Sequence, residues 1–402
     1  MTVAAFMDLA LYDPAFGYYA RASRRSGRAG DFFTSVDVGA LFGELLAVQI
    51  AEMAAIVSDL AAKDAEDQTR NAEVLSSASS ASSAVNMFDL VEAGAGDGRL
   101  SADILHAIRL RHPDVYDRTR LHLVEASAAA RGAQRATLGE TGTRLVTSTP
   151  ELPSSFEGVL VANELLDAMP VHQVVMREDG LREMYVSARG HASTHARQRA
   201  ACEDETLVLR EGPLSTPALA DYMTRLNVRL EPGWRVEINL RAVEWVRDAA
   251  RRLRRGFIVL IDYGHEAREL FSVTHAAGTL ATFTRHTTKS AGSSAAPAPW
   301  LVDPGEQDIT AHVDFTSVRA AAEDEGCLTL GFLDQTYFLL GLAAPNLADV
   351  TNLADVPNLK KRLALKTLIM PGGLGSTMKV LILGKGVGTP ALRGCSFRTR
   401  AT

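Results

Sequence analysis

The sequence predicts an α/β protein with a mostly parallel sheet that helices cover on both faces. Short apolar runs alternate with segments of helical periodicity, and a glycine-rich turn follows the first run. The apolar runs lie at 88–91, 121–124, 144–147, 159–162, 257–261 and 378–383. Helical spacing of apolar residues is clearest at 38–55, 100–111 and 241–253. Runs that are this short and apolar are typical of strands buried on both faces.

The elements follow one another as strand–helix–strand units. The run at 88–91 stops at glycines, and the helix after it ends before His112 and Pro113, because the residue before a proline avoids the helical conformation. The second strand precedes an Ala-rich helix. Between 171 and 239 the pattern changes to the alternation of half-exposed antiparallel strands, and residues 178–180 (Glu-Asp-Gly) are typical of a hairpin turn.

This pattern divides the chain into six predicted segments. They are a helical N-terminal or lid segment (1–57), a Ser/Ala-rich mobile insertion (58–86), the first half of the core (87–170), an inserted β-rich lobe (171–240), the second half of the core (241–386) and a tail (387–402). A second stretch, 290–299, contains only Ser, Ala, Gly and Pro. Both Ser/Ala-rich stretches offer little apolar surface to compensate for ordering, so we expect surface insertions.

Composition and charge exclude several classes of protein. The 402 residues are 47% hydrophobic and 22% charged, which is ordinary for a globular protein and rules out collagen, a coiled coil and wholesale disorder. The net charge is −6, so the chain as a whole has no positive field to hold nucleic acid non-specifically. We therefore expect no nucleic-acid partner.

Cysteine usage and the N-terminal residues predict a cytoplasmic location. The three cysteines, Cys202, Cys327 and Cys395, are far apart and lack CxxC spacing, which argues against disulfides and a thiolate metal site. Since no His/Cys/Asp cluster has metal-ligand spacing either, no metal is expected. Residues 1–20 resemble neither a signal nor a transit peptide, and no window approaches about 20 apolar residues. We expect no membrane span.

The strongest local signal is the turn that contains Gly94, Gly96 and Gly98 between a strand and a helix. Glycines suit a tight turn with positive φ, and they let a ligand approach the backbone without a Cβ in the way. A dinucleotide-binding turn needs G-x-G-x-x-G, and Arg99 stands where its third glycine should be. The pattern is instead E-x-G-x-G-x-G, beginning at Glu92. A turn that merely packs strand against helix is the structural alternative.

A second acidic residue, Glu125, ends the next strand 27 positions after Gly98 (125 − 98). Its carboxylate can accept hydrogen bonds from both hydroxyls of a ribose at this edge of the sheet. NAD-dependent enzymes also place an acid here, so Glu125 alone does not choose between nucleotide cofactors.

The loop after the fourth strand contains Asn163, Glu164 and Asp167. Ligands of open α/β sheets collect at the carboxyl ends of the strands, so these residues should meet a substrate. If the loop is helical, Glu164 and Asp167 are at positions i and i+3 and share a face. Two carboxylates on one face suit a guanidinium, which takes bidentate hydrogen bonds. The alternative is a helix turn in which the acids only complement the helix dipole.

The glycine segment resembles the first motif of class I S-adenosylmethionine-dependent methyltransferases, and the whole chain resembles the MidA family, which is related to a mitochondrial complex I assembly factor. With the glycine turn, the matching blocks cover roughly residues 5–384 in order. They lie at 10–19, 30–35, 38–50, 159–172, 262–266, 278–280 and 304–315. The chain departs from the family at Leu165 and Leu166, where aromatic residues are usual, and in its Ser/Ala-rich insertions.

The resemblance implies a Rossmann-like class I methyltransferase sheet and S-adenosyl-L-methionine as the cofactor. It also implies symmetric dimethylation of an arginine on a protein partner, a subunit of respiratory complex I (NADH dehydrogenase). Glu92 and the glycines would hold the methionine part of the cofactor. The residues expected to bind the cofactor are Glu92, Gly94, Gly96, Gly98, Glu125, Asn163, Thr34 and Ser35.

The residues expected to be catalytic are Glu164, Asp167 and His265. The two acids would neutralise the guanidinium, orient one nitrogen and help to remove a proton. His265 follows a predicted strand and could accept a proton, orient the substrate, or make only a structural hydrogen bond. Thr34 and Ser35 precede a helix; they could cap it, with Ser35 as the acceptor, or belong to a lid over the cofactor.

Three functions are compatible with the sequence. The first is a protein arginine methyltransferase that serves complex I assembly. The second is a methyltransferase of small molecules or of other protein side chains, and the third is a non-catalytic assembly factor that keeps the fold. The intact glycine turn and Glu125 argue against the third, because a scaffold needs neither.

Overall fold

The structure is a computed structural model of the chain. It describes residues 1–21, 34–73, 87–188, 206–284, 287–290, 298–347, 359–370 and 374–397. These residues fall into two compact units. The first unit comprises Met1–Phe33, Leu166–Glu244 and Gly264–Ser317, and the second comprises Thr34–Leu165, Trp245–Tyr263 and Val318–Thr402.

Helices and strands alternate through most of the described residues. The α-helices are α1 (Val3–Tyr12), α2 (Tyr18–Arg21), α3 (Leu41–Glu73), α4 (Arg99–Arg111), α5 (Pro113–Arg118), α6 (Ala128–Leu138), α7 (Ala218–Leu226), α8 (Leu240–Arg252), α9 (Ala267–Leu270), α10 (Phe315–Glu323), α11 (Gln335–Leu347), α12 (Leu359–Ile369) and α13 (Leu374–Thr377). The strands are β1 (Phe88–Ala93), β2 (Thr119–Val124), β3 (Leu145–Thr149), β4 (Phe156–Asn163), β5 (His172–Arg177), β6 (Gly180–Ala188), β7 (Leu207–Gly212), β8 (Arg235–Ile238), β9 (Leu253–His265), β10 (Ala281–Thr284), β11 (Thr287–Ser290), β12 (Asp308–Thr310), β13 (Val313–Asp314), β14 (Leu328–Asp334) and β15 (Met378–Lys385).

The second unit is built on a mostly parallel sheet, which confirms the predicted fold class. Its strand order is β14-β15-β9-β4-β1-β2-β3, and β15 runs antiparallel to both of its neighbours. Every residue of β1 is buried, as expected for a central strand with helices on both faces. The chain leaves β1 toward β2 on one side and later returns to β4 on the other. This switch in strand order places a ligand crevice at the carboxyl ends of β1 and β4.

Helix α3 packs its apolar face into the core of the second unit. Phe42, Leu46, Ile50 and Met53 are all almost fully buried and follow helical spacing. By length and composition alone, the stretch Leu41–Glu66 is long and apolar enough to cross a membrane, although no such stretch is expected from the sequence. Half of an apolar 18-residue window within that stretch is buried inside the structure, as in the core helix of a globular protein.

The first unit contains the β-rich lobe. The sheet β7-β6-β5-β8 is antiparallel, and a two-residue turn joins Arg177 to Gly180, as the sequence predicts. Helix α1 packs against this sheet through Phe6 and Met7, and its N-cap Thr2 accepts a hydrogen bond from the amide of Ala5. A second sheet, β11-β10-β12, completes the unit.

Three segments of the structure differ from the predicted organisation. Residues 58–73, placed in the Ser/Ala-rich insertion, continue α3, because Ala, Glu, Asp, Lys and Gln there are compatible with a helix; 74–86 lie outside the described residues. Gly264–Ser317, predicted as part of the core, belongs to the first unit. The predicted tail contacts helix α3, since the amide of Gly394 donates to Gln49 Oε1 at 2.9 Å.

Candidate functional site

The turn after β1 holds its three glycines in conformations that other residues rarely adopt. The φ angle is 73° at Gly94, 52° at Gly96 and 88° at Gly98. The amides of Gly94 and Ala95 donate to the carbonyl oxygen of Val124, at the end of β2, at 2.9 and 3.1 Å. The neighbouring strand therefore fixes the start of the turn.

Gly96 is the open point of this turn. A Cβ at Gly96 would meet no atom of the described residues within 4 Å, whereas a Cβ at Gly98 would lie 3.5 Å from Gln134 and Leu123. The side-chain amide of Gln134 donates to the carbonyl oxygen of Gly96 at 2.9 Å. The main chain at Gly96 is thus both held in place and accessible to a ligand.

Glu125 lies beside Gly96, as the sequence analysis expects of a residue at this sheet edge. Its Oε2 accepts the amide of Gly96 at 2.8 Å, and its Oε1 accepts the amide of Ser127 at 2.7 Å. Each carboxylate oxygen has a second lone pair. The carboxylate is only partly buried, so it can still accept hydrogen bonds from two hydroxyls of a ligand.

Glu92 is buried in β1 and faces the first turn of α4. Its Oε2 accepts hydrogen bonds from both the amide (3.1 Å) and the hydroxyl of Ser101. Burial raises the pKa of Glu92 to about 8, and the two bonds from Ser101 act in the opposite direction. The carboxyl therefore joins the strand before the glycine turn to the helix after it.

Thr34 and Ser35 lie at the start of a short 3₁₀ helix, Ser35–Val38. Thr34 is its N-cap residue, and both its amide and its hydroxyl donate to Asp37 Oδ2 at 3.0 Å. The expectation that Ser35 caps a helix is wrong. Ser35 is fully buried, and its hydroxyl donates to Gln335 Oε1 at 3.1 Å instead of meeting a backbone amide as a capping acceptor. Asp37 also pairs with Arg99, which follows the glycine turn, at 2.7 Å.

Glu164 follows β4 directly and has a positive φ of 51°, which is uncommon for a residue with a side chain. Its amide donates to the carbonyl oxygen of Ile261 at 2.8 Å. Its Oε1 accepts the side-chain amide of Asn163 at 3.2 Å and the amide of Ser35 at 3.4 Å. Burial, and then the charge of Asp262, raise the pKa of Glu164 to about 8.

Asp262 is an important residue that the predicted site leaves out. It lies on β9 next to the end of β4 and is 1% exposed. Its two oxygens accept the amides of Leu165 (3.1 Å) and Tyr263 (2.8 Å). The signal was present in the sequence, since an acid stands immediately after the apolar run 257–261.

Asp167 does not share a helix face with Glu164. Residues 164–170 form bends and turns rather than a helix, because the left-handed conformation of Glu164 turns the chain away from helical dihedrals. Asp167 is buried in the first unit, where its carbonyl oxygen accepts the amide of Ala311 at 3.0 Å. The argument from i and i+3 spacing is therefore wrong.

His265 lies at the end of β9, in the first unit, beside two other histidines. Its ring centroid is 5.0 Å from that of His275 and 5.4 Å from that of His312. Its Nδ1 lies 3.0 Å from Glu269 Oε1. Burial and the two other rings lower the pKa of His312 to about 4. Sequence spacing does not reveal this cluster, because sheet pairing and a short helix bring its members together.

Residues 72–333, more than half of the chain, match the model of a family described as "Putative S-adenosyl-L-methionine-dependent methyltransferase". The chain belongs to this family. The methyltransferase is also similar along most of its length to proteins named "protein arginine methyltransferase NDUFAF7, mitochondrial". The mouse protein is 28% identical over 90% of this chain and 76% of its own length, and the bovine protein is 27% identical over 100% and 83%.

A solved structure supports the same assignment. The methyltransferase resembles a "likely methyl transferase" from Burkholderia thailandensis that was crystallised with S-adenosyl-homocysteine bound. The TM-score is 0.79 at 27% identity, and the match covers 100% of this chain and 92% of the other. These findings confirm the predicted fold and the predicted cofactor, S-adenosyl-L-methionine.

The residues of the second unit fit this cofactor. The open backbone at Gly96 leaves room for a ligand, and Glu125 has free lone pairs for ribose hydroxyls. The buried Oδ1 of Asn163 has no hydrogen-bond partner among the described residues, and a bound amino or hydroxyl group would satisfy it. Glu92 Oε2 is bonded to Ser101, which holds the shape of the turn, and a contact of Glu92 with the cofactor stays a prediction.

The structure brings most of the predicted site residues together in the second unit. These are Glu92, Gly94, Gly96, Gly98, Glu125, Asn163, Glu164, Thr34 and Ser35. Asp167 and His265 belong to the first unit. Asp262, which the prediction leaves out, also belongs to the second unit, and its charge acts on Glu164.

Proposed function

We propose that this methyltransferase methylates arginine side chains of a protein, and that Glu164 accepts the proton that the arginine loses. Glu164 is at the carboxyl end of β4, beside β1, where ligands of such sheets collect. The observation that carries the proposal is a partly buried carboxyl there with a pKa of about 8. The names of the mouse and bovine relatives support the choice of arginine.

The chemistry of arginine requires such a carboxyl. A guanidinium is cationic over the whole physiological range, so its nitrogens are poor nucleophiles. A carboxylate neutralises it through bidentate hydrogen bonds and takes a proton as the nitrogen–carbon bond forms. A carboxyl whose pKa lies near the working pH is the better proton acceptor, because it holds the proton more tightly than an ordinary glutamate while its ionised form is still populated.

Asp262 is a positioning residue in this proposal. It is fully buried, so it does not touch the substrate. Its charge raises the pKa of Glu164, and its bond to the amide of Leu165 holds the main chain beside Glu164. Asp262 therefore tunes the base and fixes its place.

The remaining residues bind and align. When bound, the cofactor supplies an electrophilic methyl group on a positively charged sulfur. Glu125 would hold the ribose and Gly96 would let the cofactor lie against the backbone. Because the reaction is a displacement in line, these residues contribute mainly by orienting the methyl group toward the arginine nitrogen.

We extend the proposal to the substrate that the family resemblance implies, a subunit of respiratory complex I, and to symmetric dimethylation. The test compares complex I subunits by mass spectrometry from cells that contain the protein and cells that lack it. We expect one arginine to carry two methyl groups only when the protein is present, and complementation with Glu164→Gln to fail. Identical arginine methylation in both cell lines would refute the arginine proposal.

Two further measurements separate the other functions. Methylation of a different side chain, or of a small molecule in extracts supplied with labelled cofactor, would indicate the broader methyltransferase function. Calorimetric titration of the purified chain with S-adenosylmethionine addresses the non-catalytic alternative. Absence of binding would remove both methyltransferase functions together and leave the non-catalytic one.

A further inference from the structure

The first unit contains a cluster of histidines that methyl transfer does not use. His265, His275 and His312 each offer one ring nitrogen, and these nitrogens all lie within 4.8 Å of one another. All three side chains are partly exposed, so an ion from solvent can reach them. We propose that the three histidines bind one divalent transition-metal ion, with Zn²⁺ as the best match.

The fold brings the three residues together from distant positions of the chain. Strand β13 pairs in parallel with the end of β9, with Val313 opposite Gly264 and Asp314 opposite His265. His312, which precedes this pairing, is thereby placed next to His265. His275 ends a short 3₁₀ helix, Val273–His275, that follows α9. The amide of His312 donates to Thr279 Oγ1 at 3.1 Å, which joins the segment of His312 to the segment just after His275.

Two oxygens of Glu269 lie close to ring nitrogens of two of the histidines. Glu269 Oε1 lies 3.0 Å from Nδ1 of His265, and the main-chain carbonyl oxygen of Glu269 lies 3.1 Å from Nδ1 of His275. The carbonyl oxygen keeps the proton on Nδ1 of His275, which leaves the lone pair on Nε2 of that ring for a ligand. A carboxylate or a carbonyl on the second nitrogen is the usual surrounding of metal-bound histidines.

Ring stacking alone does not account for this arrangement. The ring centroids are 5.0–5.7 Å apart, which is within the range of aromatic contacts. Stacking, however, does not require nitrogen atoms to converge. The buried Nδ1 of His312 also has no hydrogen-bond partner among the described residues, which costs free energy unless a ligand or water meets it.

The donor set points to Zn²⁺. Imidazole nitrogens suit Zn²⁺, Cu²⁺ and Ni²⁺, whereas Mg²⁺ and Ca²⁺ prefer oxygen. Around a tetrahedral ion with Zn–N bonds of about 2.0–2.1 Å, the nitrogens would be roughly 3.3 Å apart, which modest rotation of the partly exposed rings achieves. A water molecule would complete the coordination. The ion would join three segments of the first unit, and His265 would serve it rather than proton transfer.

The test measures metal binding directly and needs no activity. The full chain, without a histidine tag, is titrated with Zn²⁺ by calorimetry and with Co²⁺ by visible absorption, since tetrahedral Co²⁺ has intense bands. We expect one ion per chain, the tetrahedral Co²⁺ spectrum, and a rise in melting temperature with Zn²⁺. Glu269→Gln should weaken binding about tenfold to a hundredfold, as expected for loss of a second ligand-orienting group.

The variants separate a built site from surface binding. His275→Ala and His312→Ala should abolish binding while their circular dichroism spectra match that of the parent chain. His106→Ala, which removes an exposed histidine of α4, should leave binding unchanged. Absence of stoichiometric binding to the parent chain would overturn the proposal. So would equal binding by the parent chain, His275→Ala and His312→Ala, because it would assign the ion to other groups.

Discussion

Glu92, in strand β1, and Glu164, just after strand β4, have the same raised pKa of about 8, but their surroundings differ. Glu92 is satisfied by Ser101, nine residues away, and is only 5% exposed. Glu164 is partly exposed and is held by Ser35, which is 129 residues away in the chain. The pair of Glu92 and Ser101 stabilises the turn between them, whereas the contact of Glu164 with Ser35 leaves the carboxyl of Glu164 at the crevice.

The comparison shows that a raised pKa alone does not identify a catalytic residue. Burial raises both pKa values and is the largest cause in each case. Only Glu164 also has access to a ligand and a strained backbone, with φ at 51°. Position and accessibility therefore distinguish the base from the structural acid.

The largest expected effect is on methyl transfer. Glu164→Gln removes the proton acceptor but keeps the shape, so we expect the turnover rate at saturating cofactor to fall about 10²–10⁴-fold. The affinity for S-adenosylhomocysteine, measured by calorimetry, should stay the same. Glu92→Gln should affect turnover far less, because a glutamine oxygen still accepts the bonds from Ser101. Loss of cofactor binding in Glu164→Gln would assign Glu164 to the cofactor site instead.

The next effect concerns the cofactor. Gly96→Ala places a methyl group in the open space over the turn and at a φ of 52°, so we expect the affinity for S-adenosylhomocysteine to fall roughly tenfold or more. Gly132→Ala is the matched control, since its Cβ also meets no atom of the described residues within 4 Å but lies on helix α6. Equal affinities of the two variants would show that the cofactor does not lie against Gly96.

A third prediction concerns stability and pH. A folded carboxyl with a pKa of about 8 binds its proton more tightly than the unfolded chain does, so the free energy of unfolding falls as pH rises from about 4.5 to 8. The slope is up to about 1.4 kcal/mol per pH unit for each such group. Glu92→Gln should remove one such slope, as measured by urea unfolding at pH 5, 6, 7 and 8. Parallel pH profiles of parent and variant would contradict the assignment.

The smallest expected effect is a shift in a pH profile. Asp262→Asn removes the charge that raises the pKa of Glu164, so the rising limb of kcat/KM should move to lower pH. A purely structural role for Asp262 would lower the rate equally at every pH. The profile of kcat/KM, taken from initial rates over a series of peptide concentrations between pH 6 and 9, distinguishes the two.

Local patterns predicted much of the fold and the cofactor site. The six apolar runs became β1, β2, β3, β4, β9 and β15, because short buried strands carry their signal in their own residues. The glycine turn and Glu125 were predictable for the same reason. Strand β14 and helix α11 were not predicted. Strand β14 lies at the edge of the sheet and is only partly buried, so it lacks the short, fully apolar run of a central strand.

Residues that act through contacts between distant segments were the ones that local patterns missed. Asp262 meets Glu164 only because β9 pairs with β4. His275 and His312 meet His265 through a short helix and one pair of strands. A helical loop after β4 would place Glu164 and Asp167 on one face, but the positive φ of Glu164 turns the chain away from helical dihedrals.

The most direct test of the central claim is a crystal structure of the full chain with S-adenosylhomocysteine bound. We predict that both ribose hydroxyls lie within hydrogen-bond distance of Glu125, that the cofactor runs past Gly96, and that its sulfur faces Glu164. A cofactor bound elsewhere, or a sulfur turned away from Glu164 with the crevice filled by side chains, would contradict the account.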